Sequence, residues 1–533
     1  MTSSVCVLCS QSESIFAFAR GEARIVRCAG CELLRREPAA PFEPNTVLAE
    51  NESRPELLAS QRYVRCIAEQ GLQGAKILYA GLSQRDLFAT LLAEAGHSVT
   101  YFDHTSISEN SAEAEEEFDC LVLYQTLERT PDPYELLRQM RKRLRADGHL
   151  MLVGLSMDSL PARRFGRRWI GWSAGLNHYF NRATLQLLLE KAGFERILLA
   201  PDKRHYTIEH ARSQISRLPE QQPRRLLWSM LAMLPKSIQQ KEVQLESSAV
   251  VVMSRKTEVL GRNKLSVIMP VFNEKRTFMD SFTKVNQRVQ EGIAGVDQVE
   301  IIIVESNSTD GSRELVHSVV NDNVRLVLEE KPQGKGHAVR TGLKHATGEI
   351  CIIQDADLEY DVYDYDALIK PLVEYRQTFV LGTRHSGNWK IRKFAGEAVM
   401  AFVCNFGHIL FTTIINVFCG QNLTDPFTMY KVFRRECIYK LKFECNRFDF
   451  DHELLIKLVK KGYRPIEIPV NYNARGFAEG KKIAVIRDPI TWIIADFKYF
   501  FASPFDDDYL IKNSALFSIE AKNSAADFPN SSG

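Results

Sequence analysis

The segment Ile350-Cys351-Ile352-Ile353-Gln354-Asp355-Ala356-Asp357 constrains this chain more than any other. An apolar, β-branched run stops at two carboxylates one residue apart. Such a run reads as a buried parallel strand whose C-terminal end delivers Asp355 and Asp357 to a crevice. Residues two apart on an extended segment point the same way. The pair can therefore hold a hard divalent cation that keeps part of its water shell and takes phosphate oxygens as further ligands. A metal–diphosphate site is the leading reading. An acidic surface turn is the plain alternative, because an isolated Asp-x-Asp recurs by chance.

Three neighbouring segments favour the site. Residues 265–274 (LSVIMPVFNE) form a second apolar strand, stopped by Pro270 and followed by Asn273 and Glu274. Residues 299–304 form a third, followed by Glu305 and a turn cluster that ends in a helix N-cap. Residues 335–348 form a glycine-bounded helix leading into the acidic strand. Strand–helix alternation of this kind implies a parallel sheet with ligands at the strand C-termini.

Taken with Leu-Gly-Thr-Arg384, Leu-Thr-Asp425-Pro-Phe-Thr-Met-Tyr-Lys, Asn-Arg-Phe-Asp-Phe-Asp451-His-Glu453-Leu and Tyr-Asn-Ala-Arg475-Gly-Phe-Ala-Glu-Gly-Lys-Lys-Ile, these blocks make residues 265–483 resemble a family 2 glycosyltransferase. The nearest subgroup resembles the dolichyl-phosphate mannose synthases and bacterial polyprenyl-phosphate or cell-surface sugar transferases. The resemblance implies Mg²⁺ or Mn²⁺, with Asp357 as the direct ligand and Asp355 on ribose or metal-bound water. It places Pro270, Glu274 and Glu305 around the nucleotide. Arg384 follows a strand and can meet phosphate with its planar fork. Arg475 and Lys481 lie on a glycine-punctuated loop, either a lid over the leaving diphosphate or an ordinary solvated basic loop.

The family carries two adjacent acids after the second strand, and here Ser306 follows Glu305. Asp425 sits in a turn before Pro426. Among Asp425, Asp449, Asp451 and Glu453, one acid can act as general base if the acceptor is a sugar hydroxyl; a lipid phosphate oxygen is already anionic and needs none. Helix capping is the competing role for Asp451 and Glu453.

Residues 398–418 carry no charge and are long enough to cross a membrane. Asn405, His408, Thr412, Thr413 and Asn416 interrupt the stretch, so an amphipathic helix lying on the bilayer is favoured over a buried helix or a span. The basic stretch from Arg384 to Lys393 would attract anionic headgroups. Residues 490–501 have the same interfacial character, and the chain from Ser503 onward reads as a disordered tail.

The N-terminal half is a separate module. Cys6-x-x-Cys9 and Cys28-x-x-Cys31 have the spacing of two thiolate knuckles, and four ligands with no open position describe structural zinc. Redox pairs are the alternative. Strands at 76–80, 98–103 and 118–123, then a helix and a strand ending at Val153, follow the order of a class I S-adenosylmethionine-dependent methyltransferase. With the cysteines, the half resembles the zinc-ribbon methyltransferases of sugar pathways. The resemblance puts Gly81 and Asp103 at the cofactor. However, Tyr79 stands where the family has an acid, and Ser83 and Arg85 replace glycines, which crowds the approach. Two readings stay open: a retained fold without cofactor, serving as a scaffold, or a working sugar methyltransferase. Residues 223–235, basic then apolar, read as an inserted helix.

The expected architecture is therefore α/β: two doubly wound Rossmann-like modules behind a small zinc ribbon. The expected bounds are a ribbon over 1–40, a methyltransferase-like module over 57–256, a glycosyltransferase module over 263–503 and a tail over 504–533. A net charge of +2 argues against a nucleic-acid partner. The expected partners are a nucleotide-sugar donor and a polyprenyl-phosphate or glycan acceptor, with sugar transfer by inversion. The expected location is cytoplasmic, at the inner face of the membrane.

Overall fold

The computed structural model describes residues 5–20, 23–41, 53–81, 83, 86–102, 117–169, 171–172, 175–207, 236, 240–257, 263–385, 398–473 and 487–518. In the N-terminal half these form β1 (Ser14–Arg20), β2 (Ala23–Cys28), β3 (Leu34–Glu37), α1 (Arg54–Glu69), β4 (Lys76–Ala80), α2 (Leu87–Glu94), β5 (Ser98–Tyr101), β6 (Phe118–Tyr124), α3 (Pro133–Lys142), β7 (Leu144–Leu155), α4 (Leu160–Phe165), β8 (His178–Tyr179), α5 (Arg182–Lys191), β9 (Phe194–Tyr206) and β10 (Val243–Lys256).

The ribbon sheet runs β1-β2-β3-β8. Its last strand comes from the following module, so the two share one sheet. The second sheet runs β5-β4-β6-β7-β10-β9. Its first four strands are parallel and β10 lies antiparallel between β7 and β9. Local signals set the helix starts here. Asp132 accepts a bond from Glu135 N (3.0 Å) ahead of Pro133 at the start of α3. Asn181 and Thr184 close a reciprocal capping pair on α5.

The C-terminal half contains β11 (Lys264–Val271), α6 (Phe278–Glu291), β12 (Gln298–Glu305), α7 (Ser312–Ser318), β13 (Val324–Leu328), α8 (Lys335–His345), β14 (Ile350–Ile353), α9 (Tyr365–Val373), β15 (Phe379–Thr383), α10 (Ala398–Cys419), β16 (Lys431–Arg434), α11 (Phe450–Lys460), β17 (Ile466–Pro469), α12 (Arg487–Phe501), α13 (Asp507–Lys512) and α14 (Ser514–Phe517). The sheet order is β13-β12-β11-β14-β16-β15-β17. The expected parallel sheet is mixed, because β16 runs antiparallel to β14 and β15.

Pro270 does not stop its strand. β11 pairs with β14 only through Ile268 but with β12 as far as Val271. Past Ile268 one side of β11 is open, and a residue without an N–H is tolerated there.

α5 joins the two halves. Glu190 accepts from Arg434 Nε and Gln186 from the Tyr463 hydroxyl, both buried. Ile197 N donates to Glu436 Oε2 at 3.0 Å.

The expected tail is ordered as far as residue 518. Ala515 and Leu516 join the apolar cluster of Ala59, Tyr63 and Ile67 on α1. Ser514 Oγ and Ala515 N both donate to Glu69 Oε1, at 2.9 and 3.0 Å.

α10 is packed with its polar side inward. Asn405, His408 and Thr412 are buried, while Phe406, Ile409, Leu410 and Val417 are exposed, Val417 by 73%. His408 Nε2 reaches Thr424 O at 3.1 Å, and Asn416 makes a two-way bond with the backbone of Leu423. The neighbouring α12 repeats the pattern: Asp496 is fully buried and binds His452 Nδ1 at 2.7 Å, while Ile494, Phe497 and Phe501 face outward. Stacking of Phe418 on Phe500 (4.8 Å between centroids) joins the two helices. Among the described residues no helix is long and apolar enough to cross a membrane.

Candidate active site

The end of β14 turns directly into the acidic segment. Asp355 is buried, and Lys335 Nζ sits 2.6 Å from its Oδ1 and 2.7 Å from its Oδ2. Lys335 opens α8, and the two flanking glycines let it arrive there. A Cβ on Gly334 would lie 2.4 Å from Asn446 O, and one on Gly336 would lie 2.5 Å from Phe450 Cβ. Gly334 also takes φ +109°, which disfavours a side chain. Burial works against the Lys335 ammonium, but Asp355, Asp451 and Asp357 more than offset it and raise its pKa. Three of the aspartates singled out in the sequence therefore act on one cation, and Asp355 is in contact with it.

Asp357 is half-buried, and its Oδ1 accepts from Glu359 N at 3.2 Å. Asp451, in the first turn of α11, lies 2.9 Å from Lys431 Nζ. Lys431 is fully buried, and burial lowers its pKa against the pull of Asp451. Neither lysine carries a local sequence signal for this role, although Lys335 stands in the Gly-Lys-Gly-His-Ala block.

Other candidates land elsewhere. Arg384 does not present its fork to the crevice. Its Nε and Nη2 each donate to Asp425 at 2.7 Å, and its backbone N adds a third bond at 2.9 Å. Both side chains are buried. Glu453 accepts from Glu444 N and Cys445 N at 2.9 and 2.8 Å and from Lys457 Nζ at 2.6 Å. These bonds engage it in holding the loop before α11, and it does not cap that helix. Glu274 accepts from Thr277 Oγ1 at 3.0 Å at the start of α6. Glu305 is fully buried; its Oε1 accepts from Ser308 N at 2.6 Å, while its Oε2 makes no hydrogen bond. Pro270 lies on the adjoining β11, one strand from the β14 end that delivers Asp355. Arg475, Lys481 and Asp103 lie outside the described residues, as do Arg85 and residues 223–235.

Asp355 and Asp357 offer two carboxylates, which suits a divalent cation that takes the rest of its shell from water and diphosphate. The cysteines offer a closed set. Cys6, Cys9, Cys28 and Cys31 are buried, and their sulfurs all lie within 4.8 Å of one another. The Cys6–Cys31 and Cys9–Cys28 separations are 3.6 and 3.4 Å. A Zn–S bond of about 2.3 Å in a tetrahedron gives an edge of about 3.8 Å, so zinc fits.

Among the described residues, the turn after β4 is crowded where S-adenosylmethionine would lie. The cofactor must approach the backbone after β4, and a Cβ on Gly81 would fall 2.3 Å from the Tyr79 ring and from Asp86 Oδ2. The fully buried Tyr79 therefore occupies the space over that turn. Its hydroxyl donates to Asp86 Oδ2 at 3.2 Å, and Phe88 and Tyr101 pack edge-on against it.

The strand ends gather carboxylates beside a helix-borne lysine at the place where α/β nucleotide-binding sheets take their ligands. The family model for glycosyl transferase family 2 matches residues 266–442, and a methyltransferase-domain model matches residues 54–199. The chain carries both domains. It is similar to glycosyltransferase AglD of Haloferax volcanii, 24% identical over 42% of this chain and 35% of that protein. It is also similar to a dolichol-phosphate mannosyltransferase of Pyrococcus furiosus, 24% identical over 41% of this chain and 59% of that protein. The chain thus spans between about a third and three-fifths of these relatives. Among solved structures, S. aureus TarS with UDP-GlcNAc aligns over 48% of this chain and 71% of that one, at 15% identity and a TM-score of 0.31.

Proposed function

We propose that the chain transfers a sugar, with inversion, from a nucleotide sugar to a polyprenyl phosphate at the inner face of the cytoplasmic membrane. The observation that carries this reading is the inside-out burial of α10 and α12 beside the acidic crevice. A helix that buries Asn405 and His408 and exposes Phe406 and Leu410 belongs at an apolar boundary. Mg²⁺ or Mn²⁺, held by Asp357 with Asp355 behind it, would neutralise the leaving diphosphate. Lys335 pins Asp355 and adds positive charge where the diphosphate lies. Lys431 orients Asp451 toward the acceptor. A lipid phosphate is already a nucleophile, so Asp451 acts by alignment; with a glycan hydroxyl as acceptor it becomes the base.

The test is a donor screen with membrane lipid extract and Mn²⁺, reading radiolabelled sugar in the lipid phase. Labelled lipid with at least one donor is the expected result. If no donor labels lipid and no nucleoside diphosphate binds, the scaffold alternative replaces this reading.

The N-terminal half serves as a non-catalytic brace. Titration with S-adenosylmethionine in a calorimeter is expected to give no binding heat, and micromolar binding would restore the methyltransferase reading.

The ribbon holds one zinc ion. Lys191 Nζ ties α5 to the first knuckle by donating to Val7 O and Leu8 O at 3.1 and 2.7 Å. Metal analysis is expected to find one zinc per chain, and Cys28→Ser to lower Tm by several degrees. Zinc-free protein with an unchanged Tm would disprove the assignment.

A further inference from the structure

The ribbon carries a surface that the transfer reaction does not use. β1 is an edge strand, paired with β2 alone among the described residues. Ile15 and Phe16 on it are exposed, Phe16 by 54%. α4 packs beside it: Ala162 shares an apolar cluster with Ile25, Trp169 and Trp172, and Phe18 lies against that cluster. Leu160, also on α4, is 59% exposed. Six exposed arginines surround these side chains. Arg20 and Arg24 come from β1 and β2; Arg163, Arg164, Arg167 and Arg168 come from α4 and the 3₁₀ turn Gly166–Arg168 that follows it. A cavity of about 420 Å³, lined by residues 16–20 and Arg167, opens at the strand edge.

Acids of the same region are engaged elsewhere. Glu32 pairs with Arg27 at 3.7 Å, Glu37 with Arg35 at 3.1 Å, and Glu246 accepts from Leu160 N at 2.8 Å. Glu13 precedes β1, at the end of the strand away from Arg20. Among the described residues none of the six arginines forms an ion pair. On a chain whose net charge is +2, six like charges in one place make a local field that calls for an anionic partner. The exposed Ile15, Phe16 and Leu160 call for one with an apolar layer beneath its charges, and a bilayer containing anionic lipid supplies both. Single-stranded nucleic acid grips by stacking bases on aromatic faces. Here guanidinium groups lie over those rings, Arg24 at 5.6 Å from the Phe16 centroid and Arg167 at 5.9 Å from that of Phe18.

We infer that β1 and α4 form a second membrane-binding surface, which docks on anionic phospholipid. The arginines meet headgroup phosphates with their planar forks, and Phe16 and Leu160 enter the acyl boundary. The choice of a lipid partner rests on the membrane-facing reading of the transferase. The surface belongs to the half of the chain without a catalytic task, and it gives that half one. Once the apolar sides of α10 and α12 are seated, attachment through the ribbon becomes intramolecular, so the two contacts together hold the chain far longer than either alone.

The test is co-sedimentation of the full chain with phosphatidylcholine vesicles, with and without phosphatidylglycerol. The wild type is expected to bind both and to prefer the anionic ones, the preference fading as salt is raised. The double substitution Arg164→Gln with Arg168→Gln is expected to weaken binding to anionic vesicles by about 25-fold, about fivefold for each arginine, and to leave binding to neutral vesicles unchanged. Its Tm and its sugar transfer to a detergent-dispersed lipid acceptor should match the wild type, since both side chains are exposed and far from any role in the crevice. Phe406→Ser with Leu410→Ser on α10 is the control and should weaken binding to both kinds of vesicle. An arginine variant that keeps the wild-type preference for anionic vesicles overturns the inference and leaves the transferase reading standing. So does a wild type that takes heparin or single-stranded RNA through these arginines in preference to anionic vesicles. A wild type that binds neither kind of vesicle overturns both membrane contacts.

Discussion

Asp357→Ala is expected to lower sugar transfer by about 10³-fold, roughly 4 kcal/mol of transition-state stabilisation, with little change in Tm. Asp357 is half-buried on the turn after β14 and outside the apolar core, so its removal leaves no cavity. It does remove the carboxylate best placed for the cation, and Asp355, held at 2.6 Å by Lys335, cannot swing to replace it. Asp355→Ala should behave differently. It takes the nearest carboxylate away from the half-buried Lys335 ammonium, so stability falls together with activity. The measurement is the initial rate of lipid labelling beside a thermal melt for each variant. Asp357→Ala retaining a tenth or more of the wild-type rate would remove the cation from the mechanism.

Arg384→Leu is expected to cost about 3–5 kcal/mol at neutral pH, because it leaves the fully buried Asp425 charge without its guanidinium. The pH dependence carries the sign. In the wild type, burial pushes the Asp425 carboxyl up, but Arg384 pulls it further down, well below the usual range. A group depressed in the folded state contributes stability that is complete above the unfolded value of about 3.9 and is lost as pH falls below it. In the variant burial, the largest influence on this carboxyl, is opposed by His408 and the backbone N–H of residue 384 without the guanidinium, so the carboxyl rises and acidification favours the folded form. The stability gap between the two proteins should therefore shrink from pH 7 toward pH 4 in denaturant melts. A gap that stays constant with pH would mean that Asp425 is not the partner at stake. Replacing both residues with apolar ones of similar volume should recover much of the loss.

The strand ends were legible in the sequence because burial on both faces leaves a continuous apolar run, and the acids stand where the run stops. The partners of those acids were not legible. Lys335 reaches an aspartate 20 positions away and Arg384 one 41 positions away, and no local pattern records either pairing. The fork of Arg384, read as suited to phosphate, meets the two oxygens of Asp425. Glu453 in a first helical turn resembles a cap or a base, and only the fold shows the amides of residues 444 and 445 converging on it. The inward side of α10 was foreshadowed by the spacing of Asn405, His408, Thr412 and Asn416, which recur at one-turn intervals. The ordered stretch 504–518 was missed because the Ser- and Asn-rich sequence beyond it dominates the composition, masking Leu510, Leu516 and Phe517.

The docking of α14 on α1 also sets a clock. Ser514 meets Glu69 across 445 positions, and a ribosome adds about 5–20 residues per second. The part of α1 that α14 covers is therefore made roughly 20–90 s before its cover, while β9 and α2 close over the rest. Over that interval the nascent chain presents an adhesive face to chaperones and to its neighbours on the same messenger. Synthesis that stops short leaves that part of α1 uncovered.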